Sequence, residues 1–127
     1  MSFRICTPGH IRCIKWLDAR YENIIIGLLT DKALNGYKIS IMPFNERLEI
    51  LKYVAKDKRV VPQDSLDPSE NIEKYKPTHI ASGDGWEQVE EEAIKKFNLV
   101  KIDIPLPKEF SSTNIINKIK NENYSSS

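Results

Sequence analysis

The sequence predicts an α/β fold built on a parallel sheet, and three observations carry that prediction. Strand-like apolar runs alternate with helix-period stretches almost from end to end, at the spacing of βαβ units. One run, residues 23–29, reads Asn-Ile-Ile-Ile-Gly-Leu-Leu, a continuous apolar stretch of the kind buried on both faces of a parallel sheet. Polar, glycine-containing segments follow the strands, where such sheets bind ligands beyond the strands' carboxyl ends. A chain of 127 residues forms one domain, large enough to bury roughly two-thirds of its extended surface. That domain is expected to cover residues 1–120, with 121–127 as a polar tail.

The elements follow in order. Residues 11–20 read as a helix carrying Ile14, Trp16 and Leu17, entered through Thr7-Pro8-Gly9-His10. The strand at 23–29 comes next. Residues 43–54 are helical: Pro43 suits the first turn, Glu46 sits near the start, and Leu48, Leu51 and Val54 face one way. Residues 59–62 make a short strand closed by Pro62. Asp67-Pro68 opens a helix over 67–75, which Lys76-Pro77 closes. Residues 78–82 read as a strand, 86–97 as a helix and 99–104 as a strand ending at Pro105. Ser111 or Ser112 caps a last helix through 119, with Ile115, Ile116 and Ile119 as its apolar stripe.

One element is short. A doubly wound domain normally feeds its first helix from a central strand, and residues 1–6 are at most a stub of one. The first strand is therefore expected to be truncated or absent. Either the start lies upstream, or the strands around Ile26 and Ile80 pair directly or leave a groove.

Composition narrows the partners. Nineteen Lys and Arg face 18 Asp and Glu, a net charge of +1. This balance argues against nucleic acid or an anionic membrane as partner, so a bound anion must be held by local geometry. Cys6 and Cys13 are too few for a disulfide framework and lack the histidine spacing of a zinc site; both read as reduced core residues. The apolar run at 24–29 is far too short to span a bilayer, and the first residues lack the long apolar run of a signal peptide. A cytoplasmic protein is the expectation.

The string Thr7-Pro8-Gly9-His10 is the most informative one. It sets an imidazole and a glycine at a helix N-terminus, where outward N–H groups and the dipole's positive end favour phosphate. Gly9 lets a phosphate approach the backbone, and His10 can donate to an oxygen that gains charge during reaction. His79, inside a strand, reads as structural, and Glu90-Glu91-Glu92 as a solvated helix face.

Several motifs together resemble the cytidylyltransferase-like nucleotidyltransferases. That family carries His-x-Gly-His at its first helix and Ile-Ser-Ser/Thr-Thr near its end. Here the matching segments are Thr7-Pro8-Gly9-His10 and Phe110-Ser111-Ser112-Thr113. Between them Gly27-Leu28-Leu29-Thr30-Asp31-Lys32-Ala33, Tyr37-Lys38, Asn45-Glu46-Arg47, Val60-Val61-Pro62-Gln63 and Gly83-Asp84-Gly85-Trp86 fall in the family's order. The likeness is nearest to the cytidylyltransferase domain found beside phosphoenolpyruvate mutase, then to the glycerol-3-phosphate and phosphoethanolamine cytidylyltransferases.

The resemblance implies a Rossmann-like, three-layer fold with helices on both faces of the sheet. It also implies transfer of CMP from CTP to a small phosphate- or phosphonate-bearing acceptor, with Mg²⁺ accompanying the triphosphate and pyrophosphate leaving. His10, Lys38 and Thr7 are the implied catalytic residues. Gly9, Arg47, Gly83, Asp84, Trp86, Ser111, Ser112 and Thr113 are the implied nucleotide-binding residues, Arg47 gripping a phosphate as a bidentate fork. Taken singly, Lys38 and Arg47 also read as solvated surface charges, Trp86 as a packing residue and Ser111 to Thr113 as a helix cap. A homodimer is the expected assembly, because an open sheet edge invites pairing.

The sequence departs from the family pattern in four places. Thr7 stands where the first histidine belongs, Arg4 where an acidic residue is common, and Gly85 where a second acidic residue often follows Asp84. Lys108-Glu109 replaces a Glu-Gly pair ahead of the serines. These departures leave a second reading open, a nucleotide-binding or partner-binding domain of the same fold with weak or no catalysis. Adenylyl transfer from ATP is a third.

Overall fold

The computed structural model describes residues 1, 3, 6, 8–34, 42–81 and 87–105, with the side chains of 87 and 88 left aside. In chain order these form α1 (Pro8–Asp18), β1 (Ile25–Leu29), α2 (Asp31–Leu34), α3 (Phe44–Ala55), β2 (Arg59–Gln63), α4 (Ser69–Tyr75), β3 (His79–Ala81), α5 (Glu87–Phe97) and β4 (Val100–Ile102). β1 runs parallel to β2 with Ile25 opposite Arg59 and Leu29 opposite Gln63. β3 runs parallel to β4 with His79 opposite Val100. Each parallel pair is joined through helices, as a βαβ unit requires. The architecture is the expected parallel α/β one, consistent with a Rossmann-like nucleotidyltransferase fold.

Local chemistry explains the elements. α1 begins a turn earlier than the spacing predicts, because Pro8 supplies a helix-ready φ at a position that needs no N–H. Its end is held by Arg20, whose guanidinium donates to Trp16 O at 3.0 Å and stacks 4.0 Å from the Trp16 ring. In α3 the buried positions are Arg47, Leu51 and Ala55, at i, i+4 and i+8. The expected stripe of Leu48 and Val54 lies half-buried to either side of them. α4 closes at Lys76, which holds a left-handed φ of 48° just before Pro77. Asp31–Leu34 is an added turn of helix where only a polar segment was expected.

Two apolar clusters form among the described residues. Phe3, Ile14, Ile26, Leu28, Leu51 and Ala55 bring α1, β1 and α3 together, with Cys6 packed against them. Ile72, Ala93 and Leu99 join α4, α5 and the approach to β4. The run at 23–29 is less enclosed than predicted, for Ile25 at its start keeps 41% of its surface exposed. Both cysteines are free, and burial pushes both thiols above their ordinary pKa.

The expected groove or direct pairing beside the first strand resolves in a specific way. Among the described residues β1 and β3 belong to separate two-stranded sheets. Met1 lies on the edge of β1 away from β2. Its α-amino group donates to Gly27 O at 2.6 Å, and its carbonyl accepts from Leu29 N at 2.8 Å. That is one rung of parallel pairing, the stub the sequence predicts. The halves are tied elsewhere: Asn71 donates to Pro62 O at 3.1 Å, and the Tyr21 and His79 rings sit 5.6 Å apart.

Candidate functional site

The carboxyl end of β1 gathers the residues of interest. α1 opens with Gly9 buried and His10 half-buried in its first turn. The His10 ring meets Phe3 edge-on, with centroids 4.9 Å apart and planes at 86°. Phe3 has no exposed surface and holds a left-handed φ of 53°. Such a conformation costs a non-glycine residue about 1–2 kcal/mol, offset here by burying a whole aromatic ring. Phe3 thus joins the first turn of α1 to the apolar cluster that includes Ile26 and Leu28 of β1. α1 is an 11-residue helix, and its first turn carries the positive end of the helix dipole, the feature by which helix starts favour anions.

The phosphate fork expected at Arg47 is not what the fold builds. The Arg47 side chain has no exposed surface, and its Nη2 meets Asp31 Oδ1 at 2.9 Å. Nη1 donates to Leu29 O at 2.7 Å and Nε to Met42 O at 3.0 Å. The reason is its place on the inward stripe with Leu51 and Ala55, which carries the guanidinium under the helix. A cation taken there must find acceptors inside the protein. Neither the exposed fork nor the solvated surface charge describes it.

Asp31 is the residue that sequence reading passed over. Its Oδ2 accepts the Phe44 N–H at 3.1 Å and so satisfies one of the amides that open α3. Beside it Thr30 Oγ1 accepts from Ala33 N at 3.3 Å. The available signal was an aspartate directly behind an apolar strand, at the first turn of a short helix. Gly27 is a second such position. A Cβ there would meet the Gln63 Oε1 at 2.6 Å, and the Gln63 amide is already tied to Ser65 O and Leu66 O.

A polar pocket of about 110 Å³ opens past β2, lined by Gln63, Asp64, Asp67, Glu70, Asn71 and Lys74 among others. It is small beside the roughly 300–1,000 Å³ of ligand sites and does not hold a nucleotide. Hydrogen bonds from the Ser69 hydroxyl and N–H keep the Asp67 carboxyl below its ordinary pKa. Among the described residues no three His, Cys, Asp or Glu side chains gather to hold a metal ion. Asp31, the carboxylate at the strand end, is engaged by Arg47.

The other expectations divide plainly. Thr7, Lys38, Gly83, Asp84, Trp86, Ser111, Ser112 and Thr113 lie outside the described residues, as does the last helix at 111–119. His79 opens β3, exposed, with its Nδ1 2.8 Å from Thr78 Oγ1. The acidic run needs a correction. Glu91 and Glu92 are exposed, but Glu90 keeps only 4% of its surface. It stands three, four and seven residues before Ala93, Ile94 and Phe97, on the inward stripe of α5.

Among the described residues, no helix is long and apolar enough to cross a membrane. No curated protein matches the chain. The matching family model is the one described as Cytidylyltransferase-like, and its match spans residues 2–127. With a parallel α/β fold and that match over nearly its full length, the chain belongs to the cytidylyltransferase-like family, a nucleotide-using family of nucleotidyltransferase type.

Proposed function

We propose that the protein transfers CMP from CTP to a small acceptor bearing a phosphate or phosphonate, releasing pyrophosphate. What supports this reading is the start of α1, where buried Gly9 and half-buried His10 lie in the first turn of an 11-residue helix in a parallel α/β fold. An acceptor oxygen attacks the α-phosphorus of CTP in line, and the bond to pyrophosphate breaks. Such a step needs no covalent intermediate, so positioning and charge stabilisation do the work.

In this reading the α1 N–H groups and His10 hold phosphate oxygens as charge grows on the leaving group. Thr7 adds a neutral hydroxyl donor, and Lys38 a compact point charge. Gly83, Asp84 and Trp86 line the nucleoside, while Ser111, Ser112 and Thr113 offer hydroxyls to the triphosphate. Mg²⁺ arrives with CTP and screens its charge. The acceptor class follows the proposed nearness to the phosphoenolpyruvate mutase-associated and glycerol-3-phosphate enzymes. A cytoplasmic setting and a homodimer belong to the same proposal.

A second reading, nucleotide binding with little or no turnover, is favoured by Thr7 in place of a histidine. Removing one such donor costs about 10²–10³ in rate. Pyrophosphate release from CTP, with Mg²⁺ and a panel of phosphorylated acceptors, decides between them. Release with at least one acceptor is the expected outcome, and CTP is expected to outcompete ATP. CTP binding without release from any acceptor supports the second reading. Absence of CTP binding contradicts both.

A further inference from the structure

We propose that Arg47 and Asp31 form a positioning clasp, which fixes the carboxyl end of β1 against the start of α3 and so sets both flanks of residues 35–41. The proposal rests on the CTP reading for its functional consequence, and on the geometry alone for the clasp itself. The donors of one guanidinium reach three residues in two separate stretches of chain. Leu29 is the last residue of β1, Asp31 the first of α2, and Met42 lies two residues before α3. Asp31 closes the circuit by accepting the Phe44 N–H, the first amide of α3.

The chemistry suits arginine and no other cation. A planar guanidinium directs its N–H groups at fixed angles, so three acceptors at 2.7, 2.9 and 3.0 Å define one arrangement of the segments around it. A lysine ammonium is a point charge and leaves at least one of those carbonyls without its donor. The guanidinium itself is wholly buried and its bond to Leu29 O is shut away from water, while the Asp31 carboxylate stays half exposed. The carboxyl ends of strands are where parallel sheets hold ligands, and small misplacements there are costly. Arg47 thus acts through the backbone it holds. Lys38 falls between the two clasped flanks in the sequence.

The test compares wild type, Asp31→Asn, Arg47→Lys and the double variant. The readouts are calorimetric affinity for CTP and for CMP, together with amide hydrogen exchange at residues 29–34 and 42–46. Each single change is expected to weaken CTP about tenfold, as for a contacting charged pair, with the double variant no weaker than the worse single one. The ratio of CTP to CMP affinity stays as in wild type, and exchange rises at both flanks. Suppose instead that Arg47→Lys erases the preference for CTP over CMP while Asp31→Asn leaves affinity and exchange unchanged. Arg47 is then a direct phosphate ligand and the clasp is overturned.

Wild type that fails to bind CTP sinks the CTP reading separately. Exchange still decides the clasp in that case: lost protection at both flanks in Asp31→Asn supports it, and unchanged protection overturns it. Should Arg47→Lys not fold, Asp31→Asn carries the test, since 52% of the Asp31 side chain is exposed and its loss is tolerable.

Discussion

A guanidinium with no exposed surface spends its hydrogen bonds on the protein, and Arg47 spends them on Leu29, Asp31 and Met42. Replacing it with alanine removes the cation and leaves two carbonyls and a carboxylate short of a donor. Arg47→Ala is expected to destabilise the fold by about 3 kcal/mol or more, measured by urea unfolding. Asp31→Ala costs less, about 1 kcal/mol, because half of that carboxylate already faces water. Equal effects from the two changes would contradict the picture of a buried cation with a half-solvated partner. Arg47 also marks a limit of sequence reading. Its distance from Leu51 and Ala55 was visible, but only the packed fold shows that the charged residue, and not Leu48, takes the inward position.

At the scale of elements, hydrophobic period was a good guide wherever an element is long. The Ile-Ile-Ile-Gly-Leu-Leu run became β1, and the 43–54 and 86–97 patterns became α3 and α5 within a residue or so. One-turn α2 left no periodic trace, and β4 is shorter than its apolar run because only three rungs pair with β3. α5 shows that charge runs need to be read on a wheel. Glu90 shares the stripe of Ala93 and Phe97, whereas Glu91 faces out. Glu90→Ala is expected to cost more than 1 kcal/mol and Glu91→Ala less than about 0.5 kcal/mol in thermal unfolding.

The ends of α1 and α3 carry a pH signature. Lys58, in the turn after α3, holds Asp18 at 2.7 Å and Asp57 at 3.2 Å. The hydrogen bond to Asp18, then that to Asp57, raises the Lys58 amine above its ordinary 10.5, although desolvation opposes both. A raised amine stabilises the fold below its unfolded pKa, and that stability is lost as pH rises through the higher folded value. The melting temperature of Asp18→Asn should therefore lie below wild type by a constant amount from neutral pH up to about pH 10, with the gap closing above it. A gap that widens in alkali would contradict this assignment.

At the scale of the whole molecule, the described residues form two parallel pairs and two apolar clusters, Met1 adds a rung to β1, and Arg47 and Asp31 bring the start of α3 to the carboxyl end of that strand. Family and fold were both legible, because several weak motifs in register add up where each alone says little. The site was legible only in part. Gly9 and His10 lie in the first turn of α1, while Arg47 turned out to be buried against Leu29, Asp31 and Met42. The measurement that bears most directly on this account is pyrophosphate release from CTP, by wild type and His10→Ala side by side, with their melting temperatures. Release by wild type with a phosphorylated acceptor, falling about 10²–10³-fold in a His10→Ala protein that melts as wild type does, is the predicted result. Equal release from both proteins, or none from wild type with any acceptor, would contradict it.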